Sequence, residues 1–162
     1  MIAPGSLGSI LVVDDEEIMR EVLETLLTRE GYRVHLAATA AEGLELARTV
    51  PLDAVLLDVM LPDMGGLQVL EELRKLDEEL PVMMVTAFAS VESAIAAMKR
   101  GAFDYISKPF KNDEVLVVLR NAVERRRLVA ENTALRQHLQ AQAPRFAGII
   151  GRSSRMRQVF NL

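Results

Sequence analysis

The feature that most constrains this chain is an alternation. Short apolar runs take turns with amphipathic segments, and the connections between them are too short for hairpins. The runs are Ser9 to Val13 (SILVV), Tyr32 to Ala37, Ala54 to Leu57 (AVLL), VMMV ending at Thr86, and Asp104 to Ser107. Apolar, often β-branched stretches of that length, bounded by turn residues, read as strands. Between them, Glu17 to Arg29 places Ile18, Val22, Leu26 and Met19, Leu23, Leu27 at i, i+4, i+8 and stops at Gly31, the pattern of an amphipathic helix. Thr39 is placed to N-cap a second helix carrying Leu44, Leu46 and Ala47, which Pro51 closes. A third spans Gly66 to Lys75 with Leu67, Leu70 and Leu73 inward, and Ser90 caps a fourth that contains Val91, Ile95 and Met98 and ends at Gly101. Lys108 and Pro109 make a turn, and a fifth helix begins near Asn112. Alternating β and α units with right-handed crossovers predict an α/β fold: a doubly wound, five-stranded parallel sheet covered on both faces.

In such sheets the working site lies beyond the carboxyl ends of the strands. Asp14 and Asp15 follow the first strand, Asp58 ends the third, Thr86 ends the fourth and Lys108 follows the fifth. The topology therefore gathers all five at one edge. Asp58 stands out, because a run of four apolar residues stops on it and Pro62 and Gly65-Gly66 follow. That is a buried strand delivering one acid to an exposed loop. Crowded carboxylates repel, and at neutral pH they require raised pKa values or a bound cation. An all-oxygen anionic set selects a hard divalent ion such as Mg²⁺, which screens a phosphoryl donor's approach and neutralises charge on its oxygens. Lys108 offers a positive charge to another phosphoryl oxygen and Thr86 a hydroxyl donor to a third. A carboxylate can itself accept the group as an aspartyl-phosphate, so Asp58 is the candidate nucleophile.

These residues carry a resemblance. VVDDE, LLDVMLPDMGG, VTAFAS and YISKPF, in that order, resemble the receiver domain of two-component response regulators over residues 9 to 125. The resemblance implies a flavodoxin-like, CheY-like sheet in the order 2-1-3-4-5. It implies phosphorylation of Asp58 by a histidine kinase. It implies Mg²⁺ held by Asp15, Asp58 and the Met60 carbonyl, with Asp14 acting mainly through water. Thr86 and Tyr105 would form a switch pair, Thr86 moving toward the phosphoryl group and Tyr105 rotating inward behind it. A cis peptide between Lys108 and Pro109 is also implied, an isomer that tight turns accept before proline.

Beyond Asn112 the helical pattern continues without Gly or Pro to Ala143, about 45 Å if straight. Leu128, Asn132, Leu135 and Leu139 are spaced 4, 3, 4, as in a seam of leucines around one asparagine, and residues 126–143 are expected to form a linker helix that pairs as a parallel dimer. Arg125 to Arg127 sit beside Glu124 and Glu131 and read as a charged helix face. After Pro144, IIGRS and MRQVF resemble the opening of the AAA+ ATPase domain of sigma-54-dependent activators of the nitrogen-regulatory (NtrC-like) type, so 144–162 is expected to begin that domain. A Gly-rich phosphate loop of the GxxxxGK type does not occur. The missing parts would be the ATPase and a DNA-binding domain that works with sigma-54 RNA polymerase.

Composition limits the rest. Net charge is −4, which argues against direct nucleic-acid binding by this chain. No cysteine is present, so disulfides and thiolate chemistry are excluded and a cytoplasmic setting fits. No apolar run reaches the roughly 18 residues that span a membrane. Residues 1–8 lack the regions of a signal peptide and have the Gly/Ser/Pro composition of a cloning remnant. His35 and His138 are expected at the surface, and Met60, Met64, Met83, Met84 and Met98 as core or loop filler. Two other classes compete with the regulatory module. An aspartate-based phosphohydrolase of the dehalogenase type wants a second acid two residues after its nucleophile, where Met60 stands. A flavodoxin-like FMN carrier wants a first loop rich in Ser, Thr and Gly, and Asp14-Asp15-Glu16-Glu17 would repel the phosphate.

Overall fold

The computed structural model describes residues 7–87 and 89–142. The expectations for 1–6, Phe88, Ala143 and the ATPase-like stretch 144–162 lie outside those residues. The chain divides into two compact units, one through Arg126 and one from Arg127 onward.

The first unit holds the sheet. Strands β1 (Ser9–Val13), β2 (Arg33–Ala37), β3 (Ala54–Asp58), β4 (Val82–Thr86) and β5 (Asp104–Ser107) are all parallel, in the order β2-β1-β3-β4-β5. Helices α1 (Glu17–Arg29), α2 (Ala40–Thr49), α3 (Gly66–Leu76), α4 (Val91–Lys99) and α5 (Asn112–Gln142) alternate with them. The sheet order matches the expectation.

Strand side chains alternate between faces, and each face builds its own core. Leu11, Val13, Val55, Leu57, Val82 and Met84 pack with Leu44 of α2, Val69, Leu70 and Leu73 of α3 and Ala97 of α4. Ile10, Val12, Ala54, Leu56, Met83, Val85 and Ile106 pack with Leu23 and Leu27 of α1 and Val115, Leu119 and Ala122 of α5. The central strands β1, β3 and β4 are apolar on both sides for that reason, whereas edge strand β2 is mostly half-buried.

Both anticipated caps are present: Thr39 Oγ1 accepts the Glu42 N–H at 3.2 Å, and Ser90 Oγ the Ser93 N–H at 3.0 Å. Gly31 follows α1 and Gly101 follows α4, each at positive φ (103° and 96°), where a side chain would be strained.

Several details differ from the sequence-based expectations. Of the two offset stripes on α1, the one through Leu23 and Leu27 faces the sheet, while Ile18 is 76% exposed. On α3, Val69 joins Leu70 and Leu73 inside and Leu67 is only half-buried. Met98 is not core filler, because it lies on the outer side of α4 with Val91 and Ile95. His35 is half-buried in β2. Tyr32 belongs to the α1–β2 connection and is buried against α1 and α5.

In the second unit the described residues are the helical 127–142. Leu128, Asn132, Leu135 and Leu139 are exposed there, with apolar Leu135 at 62%.

Candidate functional site

Two backbone devices bring the acids together. Parallel pairing of β1 with β3 sets Val13 opposite Leu57, so Asp14 and Asp58 leave the sheet side by side. Pairing of β4 with β5 sets Thr86 opposite Ser107, and the Lys108 N–H donates to the Thr86 carbonyl at 2.8 Å, extending the ladder one residue toward the site. The peptide bond from Lys108 to Pro109 is cis.

The Lys108 ammonium then reaches back across the sheet edge. It donates to Asp14 Oδ2 at 2.8 Å, Asp58 Oδ2 at 3.3 Å and Glu16 Oε1 at 3.3 Å. Asp14 and Asp58 are almost fully buried, and the Lys108 side chain is 7% exposed. Asp58 Oδ1 accepts the Met60 N–H at 3.1 Å, and Asp14 Oδ1 the Glu16 N–H at 3.0 Å. Arg20 Nη1 donates to the Asp14 carbonyl at 2.8 Å.

Burial and charge oppose each other here. Burial pushes the Asp58 carboxyl above its ordinary 3.8 and Asp14 adds repulsion, while the Met60 N–H and the Lys108 ammonium pull it down without cancelling the rise. Burial lowers the Lys108 pKa, but the hydrogen bond and charge of Asp14, with Asp58 and Glu16, more than offset that and hold it above 10.5.

One carboxylate oxygen from each of Asp14, Asp15, Glu16 and Asp58 lies within 4.8 Å of the other three, and Asp15 and Glu16 are exposed. The Lys108 ammonium bonds three of these four acids. The excess negative charge and the all-oxygen donor set suit a hard divalent cation with free access from solvent.

The loop after Asp58 is shaped by a glycine. A Cβ on Gly66 would come within 2.5 Å of the Val59 Cα and 2.9 Å of the Asp58 carbonyl, so α3 can start this close to the acid only without a side chain. The Gly66 N–H donates to the Val59 carbonyl at 2.8 Å, and Met60 pairs with Gly65. The Met60 side chain itself is exposed.

Asp14, Asp15, Asp58 and Lys108 thus converge as the sequence places them. Thr86 is buried at the end of β4, one residue beyond Val85, the partner of Asp58 in the ladder. Tyr105, opposite Met84 in β5, packs against the core shared with α2, α3 and α4; its hydroxyl is buried and has no hydrogen-bond partner among the described residues. Leu128, Asn132, Leu135 and Leu139 belong to the other unit. Two participants are not among the residues that the sequence singles out. Glu16 follows the acid pair directly, a position that signals its third hold on Lys108. Asp63 gives its carboxylate to the Ala40 and Ala41 N–H groups, and no local pattern announces a bond over 23 residues.

A family model described as the response regulator receiver domain matches residues 10–120. A putative response regulator NtrX-like protein of Rickettsia bellii is 38% identical over 133 residues, 81% of this chain and 28% of that protein. The regulatory protein AtoC of Escherichia coli K12 is 36% identical over 134 residues, 83% of this chain and 29% of that protein. The chain therefore spans less than a third of these relatives' length. Among solved structures, NtrX from Brucella abortus in complex with ADP superposes with a TM-score of 0.75 at 36% identity, over 79% of this chain and 30% of that one. A receiver domain protein (CheY-like) from Methanospirillum hungatei gives 0.72 at 35% identity, over 75% of this chain and 98% of that one. Sequence, sheet order and relatives agree, and the chain belongs to the response regulator receiver domain family.

Proposed function

We propose that this chain is the signal-input module of a two-component system and that Asp58 is its phosphoacceptor. One observation carries the reading: Asp58 is a buried acid that shares Lys108 with Asp14 at the carboxyl edge of the sheet. In the transfer, an Asp58 carboxylate oxygen forms a bond to phosphorus while the bond from phosphorus to the nitrogen of the donor's phosphohistidine breaks. The product is an acyl phosphate, and the electron pair stays on the histidine ring, which takes up a proton. Asp14, Asp15, Asp58 and the Met60 carbonyl would hold Mg²⁺, which when bound supplies positive charge to the phosphoryl oxygens. The Lys108 ammonium does the same from the chain's own side and exchanges one carboxylate for a phosphoryl oxygen as the charge on Asp58 is replaced. Thr86 stands one residue beyond Val85, the ladder partner of Asp58, and its hydroxyl would be drawn to the new group, with Tyr105 opposite Met84 on the neighbouring strand.

The output belongs to the same proposal. Phosphorylation biases a two-state equilibrium only through contacts that differ between the states, here those of Thr86 and Lys108. The affected surface would comprise Val91 to Lys99, Asp104 to Ser107 and α5. Residues 9–125 would act as the receiver and 126–143 as a linker helix that pairs two copies through Leu128, Asn132, Leu135 and Leu139. Residues 144–162 would open the ATPase of a cytoplasmic sigma-54-dependent activator, which would act with DNA and sigma-54 RNA polymerase. The likeness to NtrX-like proteins and AtoC supports that context. As a receiver the chain is a regulatory phosphoacceptor, with self-catalysed transfer and hydrolysis as its own chemistry. The reading is tested with acetyl phosphate: incorporation that requires Mg²⁺ and is released by hydroxylamine supports an acyl phosphate, and hydroxylamine-stable incorporation contradicts it.

A further inference from the structure

The loop that continues from Asp58 runs through residues 59–65 to the start of α3. Its base is closed by the Gly66 N–H on the Val59 carbonyl and by the pairing of Met60 with Gly65. Its tip is held from elsewhere. Asp63 Oδ1 accepts the Ala40 N–H at 2.9 Å and Oδ2 accepts the Ala41 N–H at 3.0 Å, two first-turn amides of α2 that have no partner inside the helix.

Helix α2 does not need this acid to begin, because Thr39 already caps it. What Asp63 adds is a tie between two loops. The segment leading into α2 is fastened to the end of β1, where the Asp14 N–H donates to the Ala37 carbonyl at 3.0 Å. The paired register of β1 and β3 ends at Val13 and Leu57, so no ladder bond holds Asp14 and Asp15 in place relative to Met60. The path from Asp14 through Ala37, Ala40 and Asp63 to Met60 closes that gap on the outer side.

We propose that Asp63 is a positioning residue for the divalent-cation cradle. By pinning the Asp58 loop to the N-terminus of α2, it sets the distance between the acids after β1 and the Asp58–Met60 arm. This rests on the reading that these residues take Mg²⁺. The Asp63 carboxylate is bonded to the Ala40 and Ala41 amides rather than to Lys108, and it acts through the loop backbone.

The test is Mg²⁺ titration calorimetry on the whole chain, with amide hydrogen exchange across residues 59–66. Asp63→Ala should weaken Mg²⁺ binding by about tenfold, the lower end of what losing an outer-shell partner costs a metal site, and should speed exchange at Met60 and Gly66. Asp63→Asn, which keeps one acceptor, should fall between. Thr39→Ala removes a cap from the same helix without touching the loop, so it should lower the melting temperature and leave the Mg²⁺ dissociation constant unchanged. A wild-type dissociation constant in Asp63→Ala, or equal weakening by Thr39→Ala, overturns the proposal. If the wild type takes up no Mg²⁺, the metal-site reading beneath it fails, and the loop exchange rates alone decide whether Asp63 positions the loop.

Discussion

Lys108 Nζ lies 2.8 Å from Asp14 Oδ2 and half an ångström farther from Asp58. The lysine is therefore anchored chiefly on Asp14 rather than on the proposed phosphoacceptor. Replacing it would leave buried carboxylates without a counter-charge. Lys108→Met should cost about 3 kcal/mol, as when one member of a buried pair is removed. Mg²⁺ should restore more stability to this variant than to the wild type, because the cation no longer competes with the ammonium. Urea unfolding with and without Mg²⁺ measures both effects.

Asp58 carries a destabilising charge. Its carboxyl is raised above 3.8 chiefly by burial, so the folded state holds its proton more tightly than the unfolded chain does. Stability then falls as pH rises from 3.8 through the raised folded value. Asp58→Asn, whose single amide oxygen can still accept the Met60 N–H while Lys108 keeps Asp14 and Glu16, should stabilise the metal-free protein at pH 7 by on the order of 1 kcal/mol. The advantage should disappear as pH drops toward 3.8. Denaturant titrations across that range would show it, and an advantage that stays constant with pH would contradict the assignment to ionisation.

Much of this site is legible in the amino-acid sequence, because sheet topology fixes where strand ends go. Asp14, Asp58, Thr86 and Lys108 each terminate or follow an apolar run, and a doubly wound sheet leaves those ends one destination. What periodicity does not supply is the choice between equivalent alternatives. The stripes Ile18, Val22, Leu26 and Met19, Leu23, Leu27 have the same spacing, and only the sheet against α1 decides that Leu23 and Leu27 go inside. Met98 reads as filler because methionine suits cores, yet its place on α4 faces outward. Asp63 is silent for a different reason: its partners are amides of another helix, and a turn acid has no sequence mark that names them.

The Tyr105 hydroxyl is buried without a partner among the described residues, which carries a desolvation cost. Tyr105→Phe keeps the ring's packing and removes that cost. It should leave the unphosphorylated protein as stable as the wild type or up to about 1 kcal/mol more so. Thermal unfolding decides this, and a clear loss would show that the hydroxyl makes a stabilising contact.

At the other end of the first unit, Arg126 Nη2 lies 2.6 Å from Asp77 Oδ2. Burial raises the Asp77 carboxyl, but the Arg126 hydrogen bond, the Glu79 N–H and the charges of Arg126 and Arg74 outweigh it and hold the group below 3.8. An acid lowered in this way contributes stability above 3.8 that is lost as pH falls through its folded value. Asp77→Asn should cost no more than about 1 kcal/mol at neutral pH, since the carboxylate is 37% exposed and solvent screens the pair. The loss should shrink in high salt and close in acid, as pH-resolved melting of variant and wild type would report.

Under the proposed function, Asp58 accepts the phosphoryl group. Intact-mass spectrometry of the wild type and Asp58→Asn, each incubated with acetyl phosphate and Mg²⁺, tests it most directly. The wild type should gain the mass of one phosphoryl group, and Asp58→Asn should gain none. Equal incorporation by the two proteins would contradict it.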